Sequence, residues 1–297
     1  MPKSRRRQSG QSRKAHVTSG DPRRRDAEAL TRELAWEATR ALNRALGGDL
    51  SDPMALIAMP ALFLETVVAA YRDVLPAERC VDDCLVLTCA YAQFGLEAEV
   101  RIAELTVTDS VTASRTVRGT LDPRWQDGKI HGHTVVWLPQ HHCLVDPTAE
   151  QYEEIAAYRE GPVIAAAAKT ADESTVRIAA VRGFLQLSYV LGTREASTGV
   201  LDHHPYVHEQ RDGHLRRGVN IASEVLNRLA GRRSAVEVAA IPYPRAAALT
   251  QAVRSLKAHS DAEGFLYFTP RGRQAQTRMR LNEIPLPADA RSDPKAC

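Results

Sequence analysis

The chain has 297 residues, 44% hydrophobic and 25% charged, which is enough to bury a substantial core in one large domain or two small ones. No run approaches the roughly 20 consecutive apolar residues that a membrane-spanning helix needs, so membrane-embedded functions are excluded and no membrane partner is expected. The net charge of +3 is unevenly spread: residues 1–25 carry nine Lys or Arg against one Asp, whereas the rest carries 30 basic against 35 acidic residues.

The basic segment 1–25 lacks both an apolar run for a secretory signal and the hydrophobes for a fold. It reads as a disordered arm, either simply solvated or in weak contact with nucleic acid or another acidic surface through counterion release. The five cysteines, at 80, 84, 89, 143 and 297, are odd in number, and three share one predicted helix. They read as free thiols in a reducing, cytoplasmic setting rather than as a disulfide framework.

In chain order, residues 26–45 place Leu30, Leu34, Ala38, Leu42 and Ala45 near helical spacing, with Gly47 and Gly48 as the stop. A second helix starts at Pro53 and runs to about Arg72; Pro60 inside it predicts a kink or a split. The third begins near Cys80, has Asp82 and Asp83 in its first turn, and ends at Gly95. LEAEVRIAELTVTD then alternates as a strand, and a loop with Gly119, Asp122, Pro123 and Gly128 leads to two short strands, HTVVWL and CLVD.

Past Gln151, GPVIAAAA and GFLQLSYVLG are further apolar runs, the second strand-like. Beyond residue 193 the pattern weakens. DHHPYVHEQRDGH reads as a loop interrupted by Pro205, GVNIASEVLNRLAG and PRAAALTQAVRSLKAHS as helices, GFLYFTP as a strand and PLPADARSDPKAC as a loose tail. The expected organisation is α+β, with helices packed on an antiparallel sheet: an arm at 1–25, a core at 26–192 and a C-terminal extension at 193–297.

The chemistry concentrates in HGHTVVWLPQHHCLVD, residues 131–146. If the strands are joined by a two-residue turn, His133 lies opposite Asp146; a four-residue turn shifts the pairing by two and keeps both on one face, whereas a three-residue turn puts them on opposite faces. A carboxylate that fixes an imidazole prepares a base for a nucleophile. Cys80 is the candidate nucleophile, since a helix N-terminus and an imidazolium both favour a thiolate, although Asp82 and Asp83 oppose this. Cys84 and Cys89 read as core residues on the inward face of that helix.

Taken together, Cys80 opening a helix that ends at Gly95, the strand LEAEVR, then GHTVV and CLVDPT resemble the transglutaminase-like branch of the papain-like cysteine enzymes, over roughly residues 70–155. The resemblance implies a papain-like core, a Cys80–His133–Asp146 triad and no cofactor. Its substrate would be an amide, peptide or ester, cleaved by water or transferred to an amine. Glu78 stands where family members often have Gly, Val135 where they often have Trp, and GLEAE replaces the family's Gly-Ile-Pro-Ala-Arg-like segment. The pattern with VDPTAEQY is therefore closer to bacterial members of unknown substrate, with Gln151 closing the motif.

Trp125, in the loop before the strands, is a candidate cover for the cleft, and Gln151 a candidate substrate contact. Two other readings stand beside the triad. A catalytically silent fold would act as a binding module, and a zinc hydrolase would use His131 and His133 with His141, His142 or Cys143. His203, His204 and His208 read as a solvated loop near a site entrance.

Overall fold

The computed structural model describes residues 36–71, 79–126, 129–158, 161, 163–168, 171–172, 175–271 and 278–290. The basic arm, the start of the first predicted helix and the last seven residues lie outside the described residues. Within them the fold is α+β, and every strand pairing is antiparallel.

The first helix, α1, is described over 36–47. Helix α2 spans Pro53–Tyr71 and passes through Pro60 without breaking. A proline inside a helix costs about 3 kcal/mol by removing a hydrogen bond and crowding a carbonyl. Here Leu56, Ile57, Met59 and residues 61–64 are all buried, and at about 1.5–3 kcal/mol per large apolar side chain that packing outweighs the defect.

Helix α3, Cys80–Gln93, begins and ends where the sequence predicts, with Gly95 at a positive φ just beyond it. The residue before Cys80, Arg79, is buried and ties α2 to α3: its guanidinium donates to both carboxylate oxygens of Glu65, at 3.2 and 3.1 Å, and to Asp83 at 2.8 Å. Removing the cation strands two buried carboxylates. Arg79→Met is therefore expected to lower stability by about 3–5 kcal/mol, read as a shift in urea midpoint; an unchanged midpoint would show that the cluster contributes nothing net.

The main sheet runs β7 (Ile164–Ala167), β6 (Cys143–Asp146), β5 (His133–Leu138), β1 (Glu99–Asp109), β10 (Leu185–Leu191), β9 (Thr175–Arg182) and β8 (Ala171–Asp172). Strand β2, Arg115–Gly119, also pairs with β1, on the half that β5 leaves free. A small ribbon of β3 (Arg124–Gln126) and β4 (Lys129–His131) precedes β5. All six residues of β5 and all four of β6 are buried, because both faces of these strands are covered.

One face, with Val136, Leu138, Cys143 and Val145, packs under the helices. The other, with Val135, Trp137 and Leu144, faces Leu105, Ile178, Leu187 and Tyr189 of the same sheet. The sheet therefore curls on itself, and β7 comes into contact with β9.

Three elements beyond residue 193 differ from the sequence reading. Arg194–Leu201 forms a helix, α5, capped by Thr193 Oγ1 accepting from Ala196 N–H. The segment read as a proline-broken loop is instead the start of the 28-residue helix α6, Pro205–Arg232, with His204 as N-cap and Pro205 in the first turn. At that position the missing N–H is one the helix would leave unpaired anyway, so proline initiates rather than interrupts.

After the short α7, Ala235–Ala239, helix α8 covers Pro244–Arg254 only; the following LKAHS is strand β11, Leu256–Ser260, paired with β12, Leu266–Pro270. A continued helix would satisfy its own backbone but leave this edge of β12 without a partner, whereas the ribbon pairs both strands. A further short helix, α4, Glu153–Ala156, follows β6.

Helix α6 crosses α3 at Gly218, where a Cβ would sit 2.5 Å from Cys89 Cβ and 2.6 Å from the Val86 carbonyl. Only glycine permits that approach. Ile221, Val225, Leu226 and Leu229 of α6 and Leu249 and Val253 of α8 join Leu42, Leu56 and Leu87 in one core.

Candidate active site

The β5–β6 connection is the four-residue form, Pro139 to His142, with Val136 opposite Val145 and Leu138 opposite Cys143. His133 and Asp146 thus share the inner face of the curled sheet, both fully buried. His133 Nε2 lies 2.8 Å from Asp146 Oδ2. The same oxygen accepts from Tyr189 Oη at 3.0 Å, while Oδ1 accepts from Thr148 N–H at 3.0 Å. A buried carboxylate with three donors is held in one orientation, and that orientation holds the ring.

The ring's other nitrogen, Nδ1, lies 3.0 Å from the Gln151 amide, which also donates to Thr148 Oγ1 at 3.3 Å. The Cys80 thiol lies near enough to the same imidazole to favour its charged form. Burial disfavours the charged ring, but the Asp146 charge and hydrogen bond, joined by the nearby Cys80, outweigh it and hold the His133 imidazolium up to about 10. The structure therefore brings together Cys80, His133, Asp146 and Gln151, from α3, β5, β6 and the turn after β6.

The two carboxylates flanking Cys80 are each engaged. Asp83 faces Arg79. Asp82 accepts from His214 Nε2 at 2.8 Å and from Tyr206 Oη at 2.8 and 3.0 Å. Burial of Asp82 is outweighed by those hydrogen bonds, which hold its carboxyl below the usual range. Buried Tyr189 is pushed well up, first by desolvation and then by the Asp146 charge, so it stays a donor.

Trp125 reaches the cysteine's surroundings too. It packs with Ile130, Val207 and Leu85 around Cys80, Val81 and Leu201. Its Nε1 donates to the Val200 carbonyl at 2.9 Å, and its ring stacks on His204 at 3.7 Å and 13°. This apolar cover leaves Cys80 4% exposed. His203, His204 and His208 do not form one loop: His204 caps α6 and lies on Trp125, and His208 belongs to the helix.

The other histidines of the 131–146 stretch go elsewhere. His131 ends β4, and His141 meets Tyr243 edge-on. His142, at φ 48°, ends the turn after β5. Among the described residues no three His, Cys, Asp or Glu side chains are arranged to hold a metal. Cys84 is fully buried and donates to the Thr134 carbonyl, and Cys89 is buried against α6.

Tyr189, Thr148 and the Asp82–His214 pair were missed by sequence reasoning. Tyr189 carried one usable signal: alternation in LQLSYVL puts it on the buried face with Leu185, Leu187 and Leu191. His214 carried none, because its segment was read as a loop. Gly119 is a further support. Its φ is +72°, and a Cβ there would lie 2.5 Å from the Ala103 carbonyl and 2.8 Å from His133 Cβ. Gly119→Ala is expected to destabilise by about 1–3 kcal/mol and to displace His133, seen as a lower melting temperature and a shifted His133 ring resonance; a native spectrum would remove Gly119 from the site's support.

In comparisons with family models, curated proteins and solved structures, nothing matches the chain. Among the described residues no helix is long and apolar enough to cross a membrane.

Proposed function

We propose that this protein is a cysteine-dependent acyl-chemistry enzyme of the transglutaminase-like, papain-like kind, acting on an amide, peptide or ester. The observation that supports the reading is the buried His133 imidazole held by the Asp146 carboxylate, with Cys80 nearby at the start of α3. Such a helix start leaves N–H groups without helical partners and favours negative charge beside them.

In the proposed cycle, the Cys80 sulfur attacks the substrate carbonyl carbon, and a C–S bond forms as the carbonyl π pair moves to oxygen. The Cys80 backbone N–H, at the helix start, is the donor assigned to that oxyanion, while the Gln151 amide stays on His133 and Thr148. Collapse breaks the bond to the leaving amine or alcohol, which takes its proton from the His133 imidazolium. Water then gives up a proton to the neutral imidazole as its oxygen bonds the thioester carbon, and collapse breaks the C–S bond, returning the electron pair to the Cys80 sulfur and releasing the acid; an amine in place of water gives transfer. Asp146 orients the ring throughout, and Trp125 supplies an apolar wall to the acyl or leaving group.

The test is acyl-enzyme trapping. The full chain, incubated with activated esters of graded acyl size and quenched in acid, is expected to gain one acyl mass on the Cys80 peptide, removable by hydroxylamine. Cys80→Ser is expected to gain none. Equal acylation of that variant would sink the reading.

The silent-domain alternative, in which Cys80 and its partners only bind, is favoured by one feature, the nearly complete cover of Cys80. Absence of any acyl adduct across the series, with the fold intact, selects it.

A further inference from the structure

The β11–β12 ribbon has a face with no part in the candidate active site. Alternation sorts its residues. Phe268 of β12 joins the helical core, with Leu256 and Ala258 of β11 packed against it, and Leu266 is buried. The opposite face carries Lys257 across from Thr269 and His259 across from Tyr267. With Pro270, Arg271 and Arg278 these residues line a groove of about 490 Å³, and none of them is a carboxylate.

The groove's two arginines are placed rather than loose. Arg271 Nε donates to the Leu256 carbonyl at 2.9 Å, and the Arg278 guanidinium lies 4.7 Å from the centre of the Tyr267 ring. His259 stacks on that tyrosine at 5.1 Å and 13°, and its Nε2 lies 3.0 Å from Thr269 Oγ1. Asp261, the acid at the ribbon's end, is occupied by Arg280 at 2.8 Å and by the Phe265 and Glu263 N–H groups.

Among the described residues Lys257, Arg271 and Arg278 make no ion pair with a carboxylate. Three cations converging without a counter-charge repel one another unless an anion joins them. Guanidinium forks and an ammonium match phosphate oxygens, and a stacked imidazole, phenol and guanidinium set suits a flat ring beside them.

We propose that this groove binds the phosphate of a nucleotide, free or within a single strand. Phosphate oxygens meet Lys257, Arg271 and Arg278, and the base lies against the His259–Tyr267 side. The volume is of small-ligand size.

The experiment uses the full chain, so residues 1–25 are present in every protein compared. Binding of ADP is read by calorimetry, and binding of a fluorescein-labelled oligothymidylate of about twelve nucleotides by anisotropy over a salt series. Lys257→Gln/Arg271→Gln/Arg278→Gln is expected to weaken binding at least ~10-fold and to reduce the salt slope for the oligomer by about two, three phosphate contacts at ~0.7 each. Loss confined to ADP assigns the free nucleotide; loss for the oligomer assigns the strand. Lys257→Gln/Arg278→Gln, which keeps the Arg271 bond to Leu256, serves if the triple variant melts early. Binding of both probes as tightly by the variants as by the wild type, or of neither probe by the wild type, overturns the proposal.

Discussion

At about pH 5.5 iodoacetamide is expected to label Cys80 ahead of the other described thiols, and His133→Ala is expected to slow that labelling by ~10–100-fold. At that pH an ordinary thiol is only about 0.1% ionised, so rapid reaction requires a thiolate held by a cation. The cation proposed for that role is the His133 imidazolium, held up to about 10 because the Asp146 charge and hydrogen bond, with the nearby Cys80, outweigh burial. The fold-change is smaller than the change in thiolate fraction, because a stabilised thiolate is also a weaker nucleophile.

Cys84 and Cys143 are internal controls. Burial, then the Cys80 and Asp146 charges, pushes the Cys84 thiol well up, and burial alone pushes Cys143 up. Both therefore stay protonated and slow. Labelling of Cys80 that is slow and indifferent to His133 would abandon the nucleophile assignment while leaving the fold untouched.

Asp146→Asn removes the charge that holds the ring and is expected to lower acyl-transfer activity by ~10³–10⁴-fold. It also changes how stability depends on pH. The His133 pKa is raised on folding from 6.5 to about 10, so the imidazolium's contribution is fully present below pH 6.5 and is lost as pH rises through 10. Wild type should therefore lose stability across that window, on the order of a few kcal/mol, in urea titrations at stepped pH. In the variant, burial without a compensating carboxylate favours neutral histidine, so the loss disappears. Parallel curves for the two proteins would mean that Asp146 and His133 are not electrostatically linked.

Much of this site was legible because its signals are local. Cys80 could be set at a helix start from Asp82, Asp83 and the glycine stop at Gly95, all within one helix. Alternation in HTVVWL and CLVD places His133 and Asp146 on a common face only if the turn between them is even-numbered, and the strand pairing supplies that condition. Trp125 and Gln151 were legible only as candidates, since a loop residue's neighbours depend on where the loop closes. The four-residue turn was weighed at the outset, but only the paired strands select it.

The misreadings share a physical cause. Pro60 and Pro205 signal opposite things, an interior defect and a helix start, and residue type alone does not separate them. The buried flanks of Pro60 and the His204 cap before Pro205 do. LKAHS follows a helical run without a breaker, and only its pairing with Leu266–Pro270 makes it a strand.

The sequence by itself determined the α+β class and the element that presents Cys80, because helix starts and strand alternation are settled by neighbours a few residues apart; the shared face of His133 and Asp146 depended on the turn length, which the strand pairing decides. The tertiary structure decided that Tyr189 and Thr148 hold Asp146, that Arg79 and His214 occupy the carboxylates beside Cys80, and that Trp125 and Leu201 cover it. Tyr189 with Asp146, His214 with Asp82 and the cover over Cys80 join residues tens to more than a hundred positions apart, and even the local pairs, Thr148 with Asp146 and Arg79 with Asp83, draw their energies from a burial that exists only once the sheet has curled and the helices have packed.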